Sequence, residues 1–256
     1  MQENSALGRA MAVVRDLRER CSWDRVQTRE TLRPYLIEEV HELDHAVAAA
    51  DPDAIRHEVA DLLLHLAWLI VLAEEEGQFT ADDAATDLEA KMKRRHPHLF
   101  ELGPAEEWER LKARERRLAQ RTREGVLGGL PPNLPELLMA WRLQERAAGV
   151  GFDWPDARGP ADKVREELGE VEAETAPGSG RDADRVDHEI GDLLFSVVNL
   201  ARKVGVQPGP ALERANARFR ERFAVVEELA GQKGVDLETA GLEQLDALWE
   251  EAKRIG

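Results

Sequence analysis

Five acidic side chains at two regular spacings raise the first chemical question. Glu166, Glu167 and Glu170 stand in the stretch Glu-Glu-Leu-Gly-Glu, and Glu189 and Asp192 in Glu-Ile-Gly-Asp-Leu-Leu-Phe. On an α-helix, residues three apart share a face, so Glu167 points with Glu170 and Glu189 with Asp192. Two such helices packed antiparallel bring four carboxylates into one hollow. Anions crowded in a half-buried cleft repel, and raise one another's pKa unless a divalent cation neutralises them. Hard oxygen donors without cysteine suit Mg2+, with Mn2+ as a substitute. Such an ion keeps open positions for water and phosphate oxygens. Glu166 lies on the neighbouring face, where it can orient a water or a ligand from behind the metal.

The same pattern occurs a second time. Glu38-Glu39-Val-His-Glu42 precedes Glu58-Val-Ala-Asp61-Leu-Leu-Leu, so a matching set of Glu39, Glu42, Glu58 and Asp61 is expected in the first half. Downstream, Lys91 and Arg95 correspond to Arg218 and Arg222, and Trp108 and Lys112 to Trp249 and Lys253. Upstream, Trp23-Asp24 has a looser counterpart in Phe152-Asp153-Trp154. Recurrence in register indicates duplication of one helical unit. About one residue in five is acidic, and a solvated helix can also read Glu-Glu-x-x-Glu. Two copies, each with an apolar run starting directly after the Asp, separate a site from a solvated face.

The cations supply the complementary charge. Arg218 and Arg222 are four apart on one face, as are Lys91 and Arg95, and a guanidinium fork fits phosphate oxygens. Trp249 is a candidate to stack on a base, with Lys253 one turn on reaching a phosphate. Lys163, Arg185 and His188, flanking the carboxylates on the same two helices, complete the expected phosphate-binding set.

The elements that must position these groups are all helical. Strand signals are scarce, whereas apolar residues at helical spacing are frequent. Leu7, Met11, Val14 and Leu17 with Val13 form one stripe; Leu32, Leu36, Val40 and Leu43 with Val47 form another. Asp51-Pro52-Asp53 breaks the chain before an N-cap and a helix from about Asp53 to Glu76, stopped by Gly77. Helices are further expected over about 80–95, 105–122, 134–148, 160–175, 182–204, 208–232 and 241–254. His96-Pro97 ends the first of these. The stretch 125–135, rich in Gly and Pro, reads as a hinge. The expected organisation is therefore all-α: a helical domain over 1–124, the hinge 125–135, and a second helical domain over 136–256. Each domain has a four-helix-bundle core, thin enough that pairing within or between chains is expected.

Composition excludes several classes. Of 256 residues, 51 are Asp or Glu and 35 Lys or Arg, a net charge of −16 that argues against a stable nucleic-acid-binding surface. The single cysteine, Cys21, excludes an intrachain disulfide or a cysteine-rich zinc site. The longest apolar run, Leu62 to Ala73, is shorter than the roughly 20 residues of a membrane span. No signal-peptide layout opens the sequence, so a cytoplasmic protein without membrane attachment is expected.

Taken with Cys21-Ser-Trp-Asp-Arg-Val-Gln-Thr28, Tyr35-Leu-Ile-Glu-Glu39, Arg94-Arg-His-Pro-His98-Leu-Phe and Val150-Gly-Phe-Asp-Trp154, the duplicated carboxylate motif resembles the MazG family, tandem all-α nucleoside triphosphate pyrophosphohydrolases. The resemblance implies two MazG-like domains and Mg2+-dependent hydrolysis of nucleoside triphosphates to monophosphate and pyrophosphate. It also implies broad base tolerance, a homodimer, and a part in clearing aberrant nucleotides or regulating stress responses. It places Mg2+ on Glu167, Glu170, Glu189 and Asp192, with Glu39, Glu42, Glu58 and Asp61 as a first-half site of less certain activity. It places the triphosphate on Arg218, Arg222 and Trp249; Arg218 stands where lysine is familiar. Two other readings compete. Glu38-x-x-His41 and Glu42-x-x-His45 fit a di-iron carboxylate bundle, though the second half lacks the pattern. Alternatively, the first half is a nucleotide-binding regulatory module without turnover. No GxxxxGK[ST] loop is present, which argues against a motor-type ATPase.

Overall fold

The computed structural model describes residues 5–100, 125–177 and 182–255, and every regular element among these is helical. The chain separates into two compact units, Met1–Glu106 and Glu107–Gly256. The first holds α1 (Ala6–Arg20), α2 (Arg29–Ala49), α3 (Pro52–Glu75) and α4 (Ala81–Arg95). Short 3-10 turns lie at Asp24–Val26 and Pro97–Leu99. The second holds α5 (Glu136–Ala148), α6 (Arg158–Thr175), α7 (Ala183–Lys203), α8 (Pro208–Lys233) and α9 (Leu242–Ile255). The helix expected over 105–122, together with Trp108 and Lys112, lies outside the described residues.

The two helices that carry the Glu-x-x-Asp pair are bounded by the same devices. α3, expected from about Asp53, opens at Pro52 behind the N-cap Asp51, whose carboxylate accepts from the backbone N–H of Asp53 (3.0 Å) and Ala54 (3.2 Å). Proline is suited to that position because its missing N–H would have no partner there in any case. α7 starts at Asp182, which accepts from the Asp184 N–H at 3.1 Å. Both helices end on a glycine with left-handed backbone, Gly77 (φ 64°) and Gly205 (φ 73°). Past each glycine the next N–H turns back to the helix, Gln78 to the Ala73 carbonyl (2.9 Å) and Val206 to that of Ala201 (2.8 Å). Each cap therefore sets the axial position of the glutamate seven residues on, Glu58 or Glu189.

Around these helices the cores differ. In the first unit Met11 and Val14 of α1, Leu32 of α2, Ala67, Trp68, Val71 and Leu72 of α3, and Ala81 of α4 form one buried cluster. Arg18 lies over the Trp68 ring at 5.9 Å from its centroid and donates to the carbonyls of Asp24, Arg25 and Gln27, tying the loop before α2 to α1. Seven of the ten expected stripe residues lie outside this cluster, and five of them, Leu7, Val13, Leu17, Val40 and Val47, are exposed in the isolated chain. In the second unit α8 and α9 pack through Val226, Leu229, Ala230, Leu248 and Ala252, with Trp249 against them. α6 and α7 pack along each other, as do α2 and α3, through short connections that make each pair antiparallel.

The Gly/Pro stretch expected to act as a hinge belongs to the second unit. The buried Arg146 of α5 donates to the backbone carbonyls of Leu127, Gly128 and Gly129 and holds the stretch against the helix. Among the described residues, no helix is long and apolar enough to cross a membrane.

Candidate metal and phosphate site

Each antiparallel pair brings three carboxylates together. In the second unit Glu167 and Glu170 of α6 and Glu189 of α7 have oxygens all within 4.8 Å of one another. In the first unit the trio is Glu39 of α2 with Glu58 and Asp61 of α3, again within 4.8 Å. The membership differs between the two. Asp61 joins the first trio, whereas its counterpart Asp192 lies apart from the second, exposed and paired with His188 Nε2 at 3.3 Å. Glu170 joins the second trio, whereas its counterpart Glu42 stays outside the first, close enough only to add its negative charge.

Electrostatics separate the two trios further. Glu167 is 3% exposed, and Lys163, one turn earlier on α6, places its Nζ 2.6 Å from Glu167 Oε1 and 3.0 Å from Glu166 Oε1. Those two carboxylates raise the lysine's pKa by accepting its hydrogen bonds. An ammonium thus sits beside the buried member of the second trio. At the matching place of the first half, 128 residues earlier, stands Tyr35. Glu39 accordingly titrates above the usual carboxylate range, through burial first and then the charges of Asp61, Glu42, Glu58 and Glu38. Glu170 is also raised, chiefly because its carboxyl hydrogen-bonds that of Glu189, and further by partial burial and by the charges of Glu189 and Glu167. Two carboxylates that close together favour sharing a proton or a cation. The donor set, oxygen only in the second unit, fits a hard divalent ion in size and charge.

The remaining expected residues scatter around these centres. Arg185 pairs with Glu174 at 3.3 Å and Asp182 at 3.9 Å, at the α6–α7 turn. Arg218 and Arg222 stand one turn apart on α8, the first exposed and the second half-buried. Among the described residues neither is in an ion pair or a hydrogen bond. Trp249, expected to meet a base, packs on Phe219 with ring centroids 5.2 Å apart and lies against the α8–α9 core. Lys253 pairs with Glu250 at 2.5 Å. Lys91 is exposed and Arg95 half-buried on α4. His41 and His45, which the di-iron reading requires, are both exposed, and neither joins a carboxylate group.

Two features escaped the spacing argument. The Phe152-Asp153-Trp154 loop is clamped to the end of α7: Asp153 accepts from Lys203 Nζ (3.1 Å) and from Arg202, and Lys203 also donates to the Trp154 carbonyl at 2.6 Å. The Trp154 ring lies on Gly159, where a Cβ would come within 2.3 Å of it. The other is His65, on α3 one turn beyond Asp61, buried with its Nε2 3.8 Å from Glu39 Oε1. The signal for it was a single histidine in an otherwise apolar run.

Two helical units thus each bring three carboxylates to the junction of an antiparallel helix pair, the mark of an all-α carboxylate-site protein. Comparison with known proteins agrees with this assignment. Residues 27–100, spanning the first trio, match the family model of the MazG nucleotide pyrophosphohydrolase domain. Over 238 residues, 92% of this chain and 90% of the relative, the sequence is 42% identical to the nucleoside triphosphate pyrophosphohydrolase/pyrophosphatase MazG of Thermotoga maritima. It is 38% identical over 251 residues to the nucleoside triphosphate pyrophosphohydrolase of Escherichia coli K12, covering 95% of this chain and 94% of that one. A Mycobacterium tuberculosis protein of the same name is 32% identical over 160 residues, 59% of this chain and 47% of its own length. The chain belongs to the MazG family and is, with it, a hydrolase.

Proposed function

We propose that this protein hydrolyses nucleoside triphosphates to the monophosphate and pyrophosphate, with Mg2+ (Mn2+ substituting) held in the second unit by Glu167, Glu170 and Glu189, with Asp192 at the margin. The observation that carries the reading is the oxygen-only trio with one buried, lysine-tethered member, in a chain 42% and 38% identical to two proteins named for that activity. A divalent ion bound there supplies Lewis-acid polarisation of phosphate oxygens and lowers the pKa of a bound water. The chain's own groups do the rest. Lys163 pairs with Glu166 and Glu167 and fixes their direction, and Glu166, exposed at the rim, is the candidate to orient the attacking water. Arg218 and Arg222 offer free guanidinium donors for phosphate oxygens, where they offset the charge that builds on the leaving pyrophosphate. Broad base tolerance and a role in clearing the nucleotide pool or in stress responses belong to the same reading.

Domains over 1–124 and 136–256, joined through 125–135, act as non-equivalent copies in this reading, the second being the main catalytic one. Tyr35 in place of Lys163 favours a regulatory or weakly active first copy. Exposed Leu168, Ile190, Leu194 and Val197 of α6 and α7, and Val40, Val47, Val59 and Leu66 of α2 and α3, support a homodimer that covers these helix pairs. The protein is read as cytoplasmic, with nucleoside triphosphates as partners and no stable nucleic-acid binding. A product assay on a nucleotide panel with and without Mg2+ tests the activity. Monophosphate plus pyrophosphate, lost on chelation, is expected; diphosphate plus phosphate, or turnover indifferent to chelator, refutes it.

A further inference from the structure

We propose that the first unit's cluster is a mixed nitrogen–oxygen site in which His65 Nε2 joins Glu39, Glu58 and Asp61, so that the two halves of one chain prefer different divalent metals. The inference rests on reading the carboxylate clusters as metal sites. His65 is 8% exposed, and among the described residues its imidazole has no hydrogen-bond partner: Nδ1 is buried and unpaired, and Nε2 stops 3.8 Å from Glu39 Oε1, too far for a hydrogen bond. The buried, unpaired imidazole turns its Nε2 toward Glu39, one member of the trio; His65 itself stays outside the group that Glu39, Glu58 and Asp61 form within 4.8 Å, and would close on an ion bound there. The spacing suits a shared ion. Two ligands each about 2.1 Å from a metal lie about 3.0 Å apart at a right angle and about 4.2 Å apart when opposite, and the Glu39–His65 separation falls between. His65 is four residues after Asp61, so both project from the same face of α3.

The second unit has no such group. Its matching residue, 131 positions on, is Ser196, and that trio already holds the Lys163 ammonium. The first trio lacks that lysine, so a proton or a bound cation is left to offset its charge. Imidazole shifts preference away from Mg2+ toward borderline ions such as Mn2+, Co2+ and Zn2+, while carboxylate-only sites suit Mg2+.

The test uses the untagged full chain carrying Glu167→Gln and Glu189→Gln, which silences the second cluster. Co2+ binding is followed by its visible absorption, Mg2+ binding by competition, and nitrogen ligation by pulsed EPR of the Mn2+-loaded chain. One Co2+ bound at least about tenfold more tightly than Mg2+, with 14N coupling on Mn2+, is expected. His65→Ser and His65→Gln, checked for folding by circular dichroism, are expected to lose that tenfold for Co2+ and the nitrogen coupling, while Mg2+ affinity changes less than about threefold. Metal binding without nitrogen coupling, or with unchanged Co2+ affinity in both variants, overturns the role of His65 and leaves the carboxylate reading standing. A chain that binds neither Co2+ nor Mg2+ overturns both.

Discussion

Replacing Glu39 by Gln reverses the sign of its effect according to whether a divalent ion is present. Glu39 faces carboxylate oxygens of Glu58 and Asp61 within 4.8 Å. At that separation one pair of like charges costs about 0.9 kcal/mol in a water-like dielectric and about 3.5 kcal/mol at an effective dielectric of 20. The Glu39 side chain is 20% exposed, between those limits. Neutralising it in the metal-free chain is therefore expected to stabilise the first unit by about 1–2 kcal/mol, a rise of roughly 5–10 °C in the midpoint of a unit near 100 residues. With saturating MgCl2 the order inverts. The unaltered chain gains about 2.7 kcal/mol at a hundredfold excess over Kd, whereas the variant has lost a ligand and gains less. The pH dependence agrees in sign. A carboxyl raised in the folded state binds more protons there than when unfolded, so stability is lost as pH climbs from the ordinary carboxylate value through the raised one. Glu39→Gln flattens that slope. Differential scanning calorimetry in chelator and in MgCl2 measures all three. A variant less stable than its parent without metal, or one that MgCl2 protects equally well, would refute the crowding argument.

Further outcomes follow from the second unit. Glu167→Ala with Glu170→Ala is expected to abolish pyrophosphate release, while Glu39→Ala with Glu42→Ala retains a large part of it; equal losses in a coupled pyrophosphate assay contradict the assignment of the main activity. Mg2+ affinity measured by calorimetry should rise with pH through the elevated Glu170 titration, because the proton shared with Glu189 competes with the ion, and Glu170→Gln should remove that segment of the profile. Gly159→Ala puts a methyl group into the Trp154 ring, and a loss of about 1–3 kcal/mol with a red-shifted tryptophan emission is expected. Trp154→Leu in the same chain should recover most of it, and no recovery argues that the glycine serves another purpose.

Helix placement was legible because it depends on local signals. Apolar spacing outlined each helix, and Gly77 and Pro97 ended two of them where expected. The start of α3 shows the limit: Asp51 and Asp53 are the same residue type, and the proline between them makes Asp51 the cap. Burial was less legible. Val40 and Val47 fit the helical stripe, yet nothing within the first unit covers them, since period reports which residues share a face and not what that face meets. The carboxylate motifs lie on helices that do pair, but membership of each trio depends on side-chain reach, and Glu42 and Asp192 lie outside. Spacing likewise does not reveal that half-buried Trp249 has Phe219 as a ring neighbour. The role of Arg146 in fastening a Gly/Pro stretch has no periodic signature.

Tyr35 standing where the other copy has Lys163 gives two versions of one scaffold different dependence on their solvent. The second carries part of its own counter-charge as a covalent appendage, so its folding is buffered against the ionic make-up of the medium. On the proposed reading the first borrows that charge, and its integrity would follow the divalent content of its surroundings. Duplication has thus left a chain whose two ends would melt in a different order in dilute chelator than in magnesium.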